Sequence, residues 1–378
     1  MKKVKKINIL ACFWIGLLVE APLWAVDPVV SNVSSVQRPG TRLVDITYDV
    51  ADSDSPTVGV AVEVSADSGV TYTVPAESFT GDVGNGIKPG IGKRVVWDAK
   101  SDWPNKYSSK VRFRVLVSDQ WLPPAGMVLI PAGPFQMGDD RFSGPEHTVT
   151  VSAFAMDKWE VSIELWKSVR AWGNAHGYDL IAGESFGAKH PVHSVTWFDV
   201  VKWNNARSEK EGKVPAYYVD GSMTQVYRSG DKVPAGVKWD AGYRLPTEAE
   251  WEKAARGGMA GKLYPWQTDE ISESQARYQS GGVIGTVTIG SYAANRYGLY
   301  DMAGNVFEWC WDWYGDYSSS AQIDPRGPSS GSIRVYRGGG WRFKAEGCRV
   351  ASRDHDYDFP GYGYTNYGFR SVLLPGQP

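Results

Sequence analysis

Residues 298–313 read GLYDMAGNVFEWCWDW, and the interpretation of this stretch decides how the rest of the chain is understood. It places two carboxylates, Asp301 and Glu308, on either side of Gly304 and Asn305, among aromatic rings, with Cys310 just beyond. Hard oxygen donors close in sequence, on a backbone that a glycine lets bend sharply, are what a calcium ion takes. The same residues also suit a buried turn and strand whose carboxylates accept hydrogen bonds from backbone amides. The stretch alone does not choose between the two.

At 378 residues the chain has length for two domains and a sizeable core. Its formal net charge of -2 gives no electrostatic footprint for nucleic acid or an anionic membrane surface, so a small molecule, a peptide, a glycan or another protein is the expected partner. Residues 1–25 open with Lys2, Lys3, Lys5 and Lys6, continue through an apolar run over 7–19 and end at Ala25. That is the layout of a secretory leader whose apolar run is short for a membrane span. Export to the periplasm, the cell surface or the extracellular space is therefore expected. Cys12 lies inside the apolar run, which argues against a lipid anchor there. Outside the leader stand Cys310 and Cys348, and an even pair in an oxidising compartment predicts one disulfide joining them.

Residues 28–119 alternate β-rich runs, such as RLVDITYDV (42–50), VGVAVEVSA (58–66), KRVVWDA (93–99) and KVRFRVLVSD (110–119), with turn clusters. Period-two alternation predicts strands with one buried face, packed as a small all-β sandwich that resembles immunoglobulin-like or fibronectin-type modules in pattern. Nothing in it points to catalysis, so a spacer or adhesion role is expected. Residues 120–126 form a linker stiffened by Pro123 and Pro124, and a second domain occupies 127–375.

In that second domain a helix is predicted over residues 162–172, where Leu165, Trp166, Val169 and Trp172 recur at helical spacing. Another follows Thr196 as N-cap, and a third lies in GYRLPTEAEWEKAARGG (242–258), with Thr247 and Glu250 spaced as a capping box and Gly257-Gly258 as the stop. His190 and His193 are read as packing residues because Pro191 opposes a helix and no third ligand follows. The run of glycines at 338–340 has no lysine-serine/threonine pair after it, so it is not a phosphate loop.

Taken in order, MVLIPAGPFQMG (127–138), WEVS (159–162), HPVHSVTWFD (190–199), RLPTEAEWEKAARGG (244–258), YPW (264–266), GLYDMAGNVFEW (298–309), RGGGW (337–341), CRVASR (348–353) and YGFR (367–370) resemble the formylglycine-generating enzyme, or sulfatase-modifying factor, family. The resemblance implies an α+β domain of the C-type-lectin-like formylglycine-generating-enzyme fold, loop-rich and closed over aromatic side chains. A composition of 42 Gly, 22 Pro and 17 Trp agrees with that.

For chemistry the resemblance implies a copper-dependent oxidase whose ion is held by two cysteines after a Gly-Gly-Ser-aromatic turn. Here the turn reads Gly338-Gly339-Gly340-Trp341, residues 342–347 contain no cysteine, and Cys348 alone follows. One thiol cannot make a two-thiolate site, so copper is not expected, no catalytic residue is assigned, and Gly340 and Trp341 mark an emptied candidate cleft. The resemblance also implies one structural calcium held by the Asp301 side chain, the carbonyls of Gly304 and Val306, and Glu308. A second family calcium site is expected to be lost because Arg277 brings a positive charge to it. The expected function is that of a non-oxidase member binding a peptide, protein or glycan. The alternatives are a formylglycine-generating oxidase that matures sulfatases, or another oxidative enzyme on the same scaffold.

Overall fold

A computed structural model describes residues 28–53, 55–118, 121–279, 284–353, 360–361 and 363–375. The leader expected over residues 1–25 lies outside the described residues. The chain divides into two compact units between residues 120 and 121.

The first unit holds strands β1 (Val29–Gln37), β2 (Leu43–Ala51), β3 (Val58–Ser65), β4 (Phe79–Gly81), β5 (Gly84–Ile87), β6 (Gly90–Asp98) and β7 (Arg112–Ser118), with a one-turn helix α1 (Ala99–Asp102). They form two antiparallel sheets, ordered β1-β2-β6-β4 and β5-β3-β7. Alternation places Ile46, Tyr48 and Val50 of β2 in the same core as Val58, Val60, Val62 and Val64 of β3, with Val95 and Trp97 of β6. Each such aliphatic side chain contributes about 1.5–3 kcal/mol by leaving water. The four β-rich runs of the sequence are all strands, and β1 is a further one whose VVSNVSSVQ, with polar residues at five of nine positions, is almost wholly exposed.

The second unit begins with strands β8 (Met127–Ile130), β9 (Gly133–Met137), β10 (His147–Val151) and β11 (Phe154–Asp157). Helices α2 (Ile163–Ala175) and α3 (Trp197–Lys210), the two-residue strands β12 (Tyr217–Tyr218) and β13 (Gly236–Val237), and helix α4 (Glu248–Arg256) follow. The chain then runs through loops to β14 (Phe307–Trp313), β15 (Gln322–Ile323), β16 (Arg334–Arg337), β17 (Tyr367–Gly368) and β18 (Val372–Leu373). Small sheets result, ordered β15-β10-β9, β18-β11-β8, β12-β13 and β16-β14-β17. Few helices among many short strands make this a mixed α and β fold.

The helices start where the sequence says. Ser162 caps α2 through Leu165, and Thr196 with Asp199 and Thr247 with Glu250 close reciprocal capping boxes on α3 and α4. Gly257 ends α4 with φ of 57°, a left-handed residue that glycine adopts without strain. Tryptophan rings fill the space that so little regular structure leaves: Trp166 and Trp203 stack at 5.7 Å, with Phe369 edge-on to both.

Helix α4 carries buried charge. The Glu248 carboxylate takes donors from Arg337, Arg353 and Tyr317. Glu252 takes Arg337, Arg256 and the Gly138 amide. Buried ions are tolerated only when each lone pair is met in this way. Through these ions the helix is tied to β16 and to the turn after β9.

Candidate functional site

Strand β14 is the central member of its sheet, antiparallel to β16 with Glu308 opposite Arg337, and parallel to β17 with Glu308 opposite Gly368. Between residues 301 and 305 the loop before it bends through three left-handed residues, Asp301 (φ 56°), Gly304 (φ 85°) and Asn305 (φ 63°). A side chain at Gly304 would press into the Arg277 carbonyl oxygen, so glycine is required by space as well as by φ. The bend lets the Gly304 amide donate to Gly338 O at 2.7 Å and the Asn305 amide to Arg277 O at 2.7 Å.

Of the four expected calcium donors, two carboxylates enter one buried acid cluster. Asp301 is 7% exposed; its Oδ2 accepts from the Gly290 amide at 2.6 Å, while Oδ1 is buried without a hydrogen-bond partner. Burial raises its pKa to about 6. Glu308 is fully engaged: Arg370 donates from Nε to Oε2 (2.7 Å) and from Nη2 to Oε1 (2.6 Å), and Trp251 donates to Oε2 (2.8 Å). A third acid, Glu160, accepts from Asn305 Nδ2 at 2.6 Å and the Val306 amide at 3.1 Å. Burial first, then Asp301 and Glu308, push the Glu160 carboxyl well above its usual range. Three carboxylates thus face the single guanidinium of Arg370.

Sequence reasoning missed Glu160 and Arg370, although both sit in quoted motifs, WEVS and YGFR. For Glu160 the signal was a charged residue set between Trp159 and Val161; Arg370, between Phe369 and Ser371, carried no such local mark. Arg277 lies beside Gly304, with its Nε donating to Gly285 O at 2.8 Å. Among the described residues no group of three or more His, Cys, Asp and Glu is arranged to hold a metal. The acid cluster would do so only with backbone carbonyls added. A cavity of about 200 Å³, lined by Asp301 together with Met259, Trp266, Gln275 and Arg296, opens on this side of the unit. It is not the cleft expected at Gly340 and Trp341.

At that cleft, the Trp341 amide donates to Asn305 O at 2.9 Å and its indole to Thr365 O at 3.1 Å. Phe186, 46% exposed, meets the Trp341 ring edge-on at 5.6 Å and lies 5.0 Å from the His193 ring. Tyr364, 41% exposed, adjoins Thr365 and its carbonyl accepts from the Ser194 amide. The result is an aromatic surface with buried backbone hydrogen bonds beneath it. A Cβ on Gly340 would meet nothing closer than 3.5 Å, so the missing serine reflects chemistry rather than lack of space.

The expected disulfide is absent: Cys310 and Cys348 are both free and buried. Cys310 lies in β14, packed with Ile130, Met137, Trp251 and Val335. Cys348 closes a 3-10 turn, Ala345–Cys348, in a different cluster with Tyr264, Ala276 and Ala303. An oxidising compartment permits a bridge, but it cannot bring together sulfurs that pack into separate clusters. Burial raises the Cys348 thiol to about 12 and the Cys310 thiol well above its usual value, so neither offers a thiolate at neutral pH. The Cys348 sulfur lies only 2.5 Å from where a Gly339 Cβ would stand, which is why that turn needs glycine there.

The description "Sulfatase-modifying factor enzyme 1-like domain" matches residues 112–374. The formylglycine-generating enzyme of Thermomonospora curvata is 33% identical over 288 residues, covering 66% of this chain and 94% of that protein. The serine/threonine-protein kinase pkn1 of Chlamydia pneumoniae is 50% identical over 187 residues, 48% of this chain but 24% of the kinase. Among solved structures, Treponema denticola variable protein 1 superposes with a TM-score of 0.57 at 34% identity, covering 66% of this chain and 95% of that one. With its ordered motifs, its fold and these relatives in agreement, the chain belongs to the formylglycine-generating enzyme, or sulfatase-modifying factor, family.

Proposed function

We propose that this chain is a non-oxidase member of its family that binds a peptide, protein or glycan on the aromatic surface formed by Trp341, Phe186 and Tyr364. The observation that carries the reading is the single protonated thiol beside Gly339. Copper chemistry of the family kind needs two thiolates, and Cys348 has no thiol partner because Cys310 packs elsewhere. An exposed Phe186 against a half-buried Trp341, over satisfied backbone, is a surface for stacking against a ligand. The presence of proteins named as an enzyme, a kinase and a variable protein on related sequences supports treating the scaffold and the chemistry as separable.

Export is part of the proposal, supported by the basic and apolar order of residues 1–25, and places the protein in the periplasm, on the cell surface or outside the cell. No described helix is long and apolar enough to cross a membrane. The amino-terminal module, whose strand pattern supports an immunoglobulin- or fibronectin-like assignment, serves as spacer or adhesion unit in this reading.

One structural calcium belongs to the reading as well. The unpartnered buried Oδ1 of Asp301 and the excess of acid over Arg370 fit a hard cation, for which Asp301 would supply that oxygen and Gly304 and Val306 their carbonyls, while Glu308 would have to share Oε1, which takes one donor from Arg370, with the ion. Bound there, it would pin the loop to β14 and do no chemistry on a substrate.

Incubation with copper, oxygen and a peptide carrying the sulfatase-type Cys-x-Pro-x-Arg sequence is expected to yield no aldehyde. Conversion at the rate of an authentic oxidase overturns the reading in favour of sulfatase maturation. A screen of glycans and peptides is expected to find a ligand whose binding Trp341→Ala abolishes. Calcium at about 100 times its dissociation constant is expected to stabilise the chain by about 2.7 kcal/mol over chelator. An unchanged unfolding midpoint refutes the calcium assignment.

A further inference from the structure

The first unit contains a cavity of its own, about 270 Å³, for which neither the family nor a spacer role has a use. Its floor comes from both sheets: Val44 of β2 and Trp97 of β6 on one side, Phe113 of β7 on the other. Trp97, 2% exposed, and the half-buried Phe113 meet edge-on at 5.8 Å, so the floor is aromatic and Phe113 is the more open of the two rings. At the rim stands Tyr107, 86% exposed, beside the half-buried Trp103. The remaining lining is polar, and includes Gln37, Ser108, Arg42 and Lys106.

The walls are built before any ligand arrives. One Arg42 nitrogen donates to the carbonyls of Trp103 (2.8 Å) and Lys106 (2.7 Å), holding the loop after α1 in place. The Asp102 carboxylate gathers the Glu77 and Ser78 amides and the Trp97 indole, each within 2.8 Å. A preorganised wall spares a ligand the entropy of ordering it, which is how a small site becomes a useful one. The volume lies near the lower edge of the ~300–1,000 Å³ span of small-molecule sites, so it suits a single ring rather than an extended ligand.

Two features select the ring's chemistry. Aromatic floor and rim with polar edges match a molecule that has an apolar face and a hydroxyl-bearing perimeter, which is the shape of a sugar. Among the described residues the charge that lines the cavity is one-sided: Arg42 and Lys106 line it and neither enters an ion pair, whereas no aspartate or glutamate does, the Asp102 carboxylate behind Trp97 being taken up by two amides and the indole. We propose that this cavity binds a terminal acidic sugar residue, its ring against the aromatic surface and its carboxylate toward Lys106 and Arg42. The amino-terminal unit then adds a glycan contact of its own, independent of the surface around Trp341.

Titration calorimetry on the full chain tests this with methyl glucuronide and methyl galacturonide, with methyl glucoside as the neutral ring and acetate as the bare anion. At least one uronide is expected to bind one site saturably, at least about fivefold more tightly than the glucoside, with no saturable binding of acetate. Tyr107→Ala and Lys106→Gln are each expected to weaken the uronide at least about fivefold, while Trp341→Ala leaves it unchanged. Tyr107 and Lys106 are exposed, so circular dichroism and urea midpoints of these variants should match wild type. The proposal is overturned if no uronide saturates the protein in the tens-of-millimolar range. Equal binding of glucoside or acetate, or uronide binding unchanged by both cavity substitutions, overturns it equally. Because the Trp341 variant is read in parallel, failure here and failure of the aromatic surface are separate results.

Discussion

Replacing Glu308 with glutamine removes one of the two oxygens that take three donors from Arg370 and Trp251, at a residue 1% exposed facing a guanidinium that is 0% exposed. The new amide would turn an N–H toward the guanidinium N–H, leaving Arg370 charged, buried and half-paired. Breaking a buried ion pair from one side costs about 3–5 kcal/mol. Part is returned, because Glu160 and Asp301 each lose a negative neighbour that had raised them. We therefore expect a net loss of about 2–4 kcal/mol. For a unit of this size that is a fall of roughly 5–15 °C in midpoint. Urea unfolding in chelator, followed by far-ultraviolet circular dichroism and tryptophan fluorescence, measures it. Arg370→Met and the double variant Glu308→Gln/Arg370→Met complete a cycle in which the double loses less than the sum by at least about 2 kcal/mol. A Glu308→Gln protein within about 1 kcal/mol of wild type, or a strictly additive cycle, refutes the reasoning.

Gly304→Ala is expected to destabilise by about 2 kcal/mol or more, from left-handed strain plus the collision with Arg277 O, whereas Gly340→Ser should stay within about 0.5 kcal/mol. Similar unfolding midpoints for the two variants would contradict the loop geometry. Mass analysis without reduction should find Cys310 and Cys348 unlinked, and alkylation should be slow until the chain unfolds; a linked pair or rapid native labelling would refute their burial. Asp312 has its pKa raised to about 8 by burial, with Glu248 adding to the effect. Its folded form holds a proton that the unfolded chain has released by pH ~4, so its contribution is full at low pH and fades as pH rises toward 8. Wild type should therefore lose stability relative to Asp312→Asn by on the order of 1 kcal/mol per unit between pH 5 and 8. A constant difference in urea midpoints across that range would dismiss the effect.

Local chemistry made much of this fold legible. Thr196, Thr247 and Gly257 announce helix ends because capping depends on residues within one turn of each other. The bend at Gly304 and the emptied turn at Gly340 were visible for the same reason. Pairings across the chain were not. Nothing near Glu308 in sequence says that Arg370 will meet it, and the two cysteines invited a bridge because compartment and parity carry no distance. Strand β1 was hidden by its polarity, since an exposed edge strand is specified by its neighbour β2 and not by its own pattern. The cavity of the first unit escaped for a related reason. Its floor draws on Val44, Trp97 and Phe113, which alternation marks only as core.

Arg370 also donates to the Asp157 carbonyl, 213 residues away in sequence. Its cluster therefore gathers acids made early, Glu160 first and then Asp301 and Glu308, around a base made after all of them. On a chain synthesised from its amino end, the acids stay in water as long as the guanidinium has not emerged, because burying them alone is prohibitive. The charged form of this cluster is therefore completed only by the last of its members in the chain.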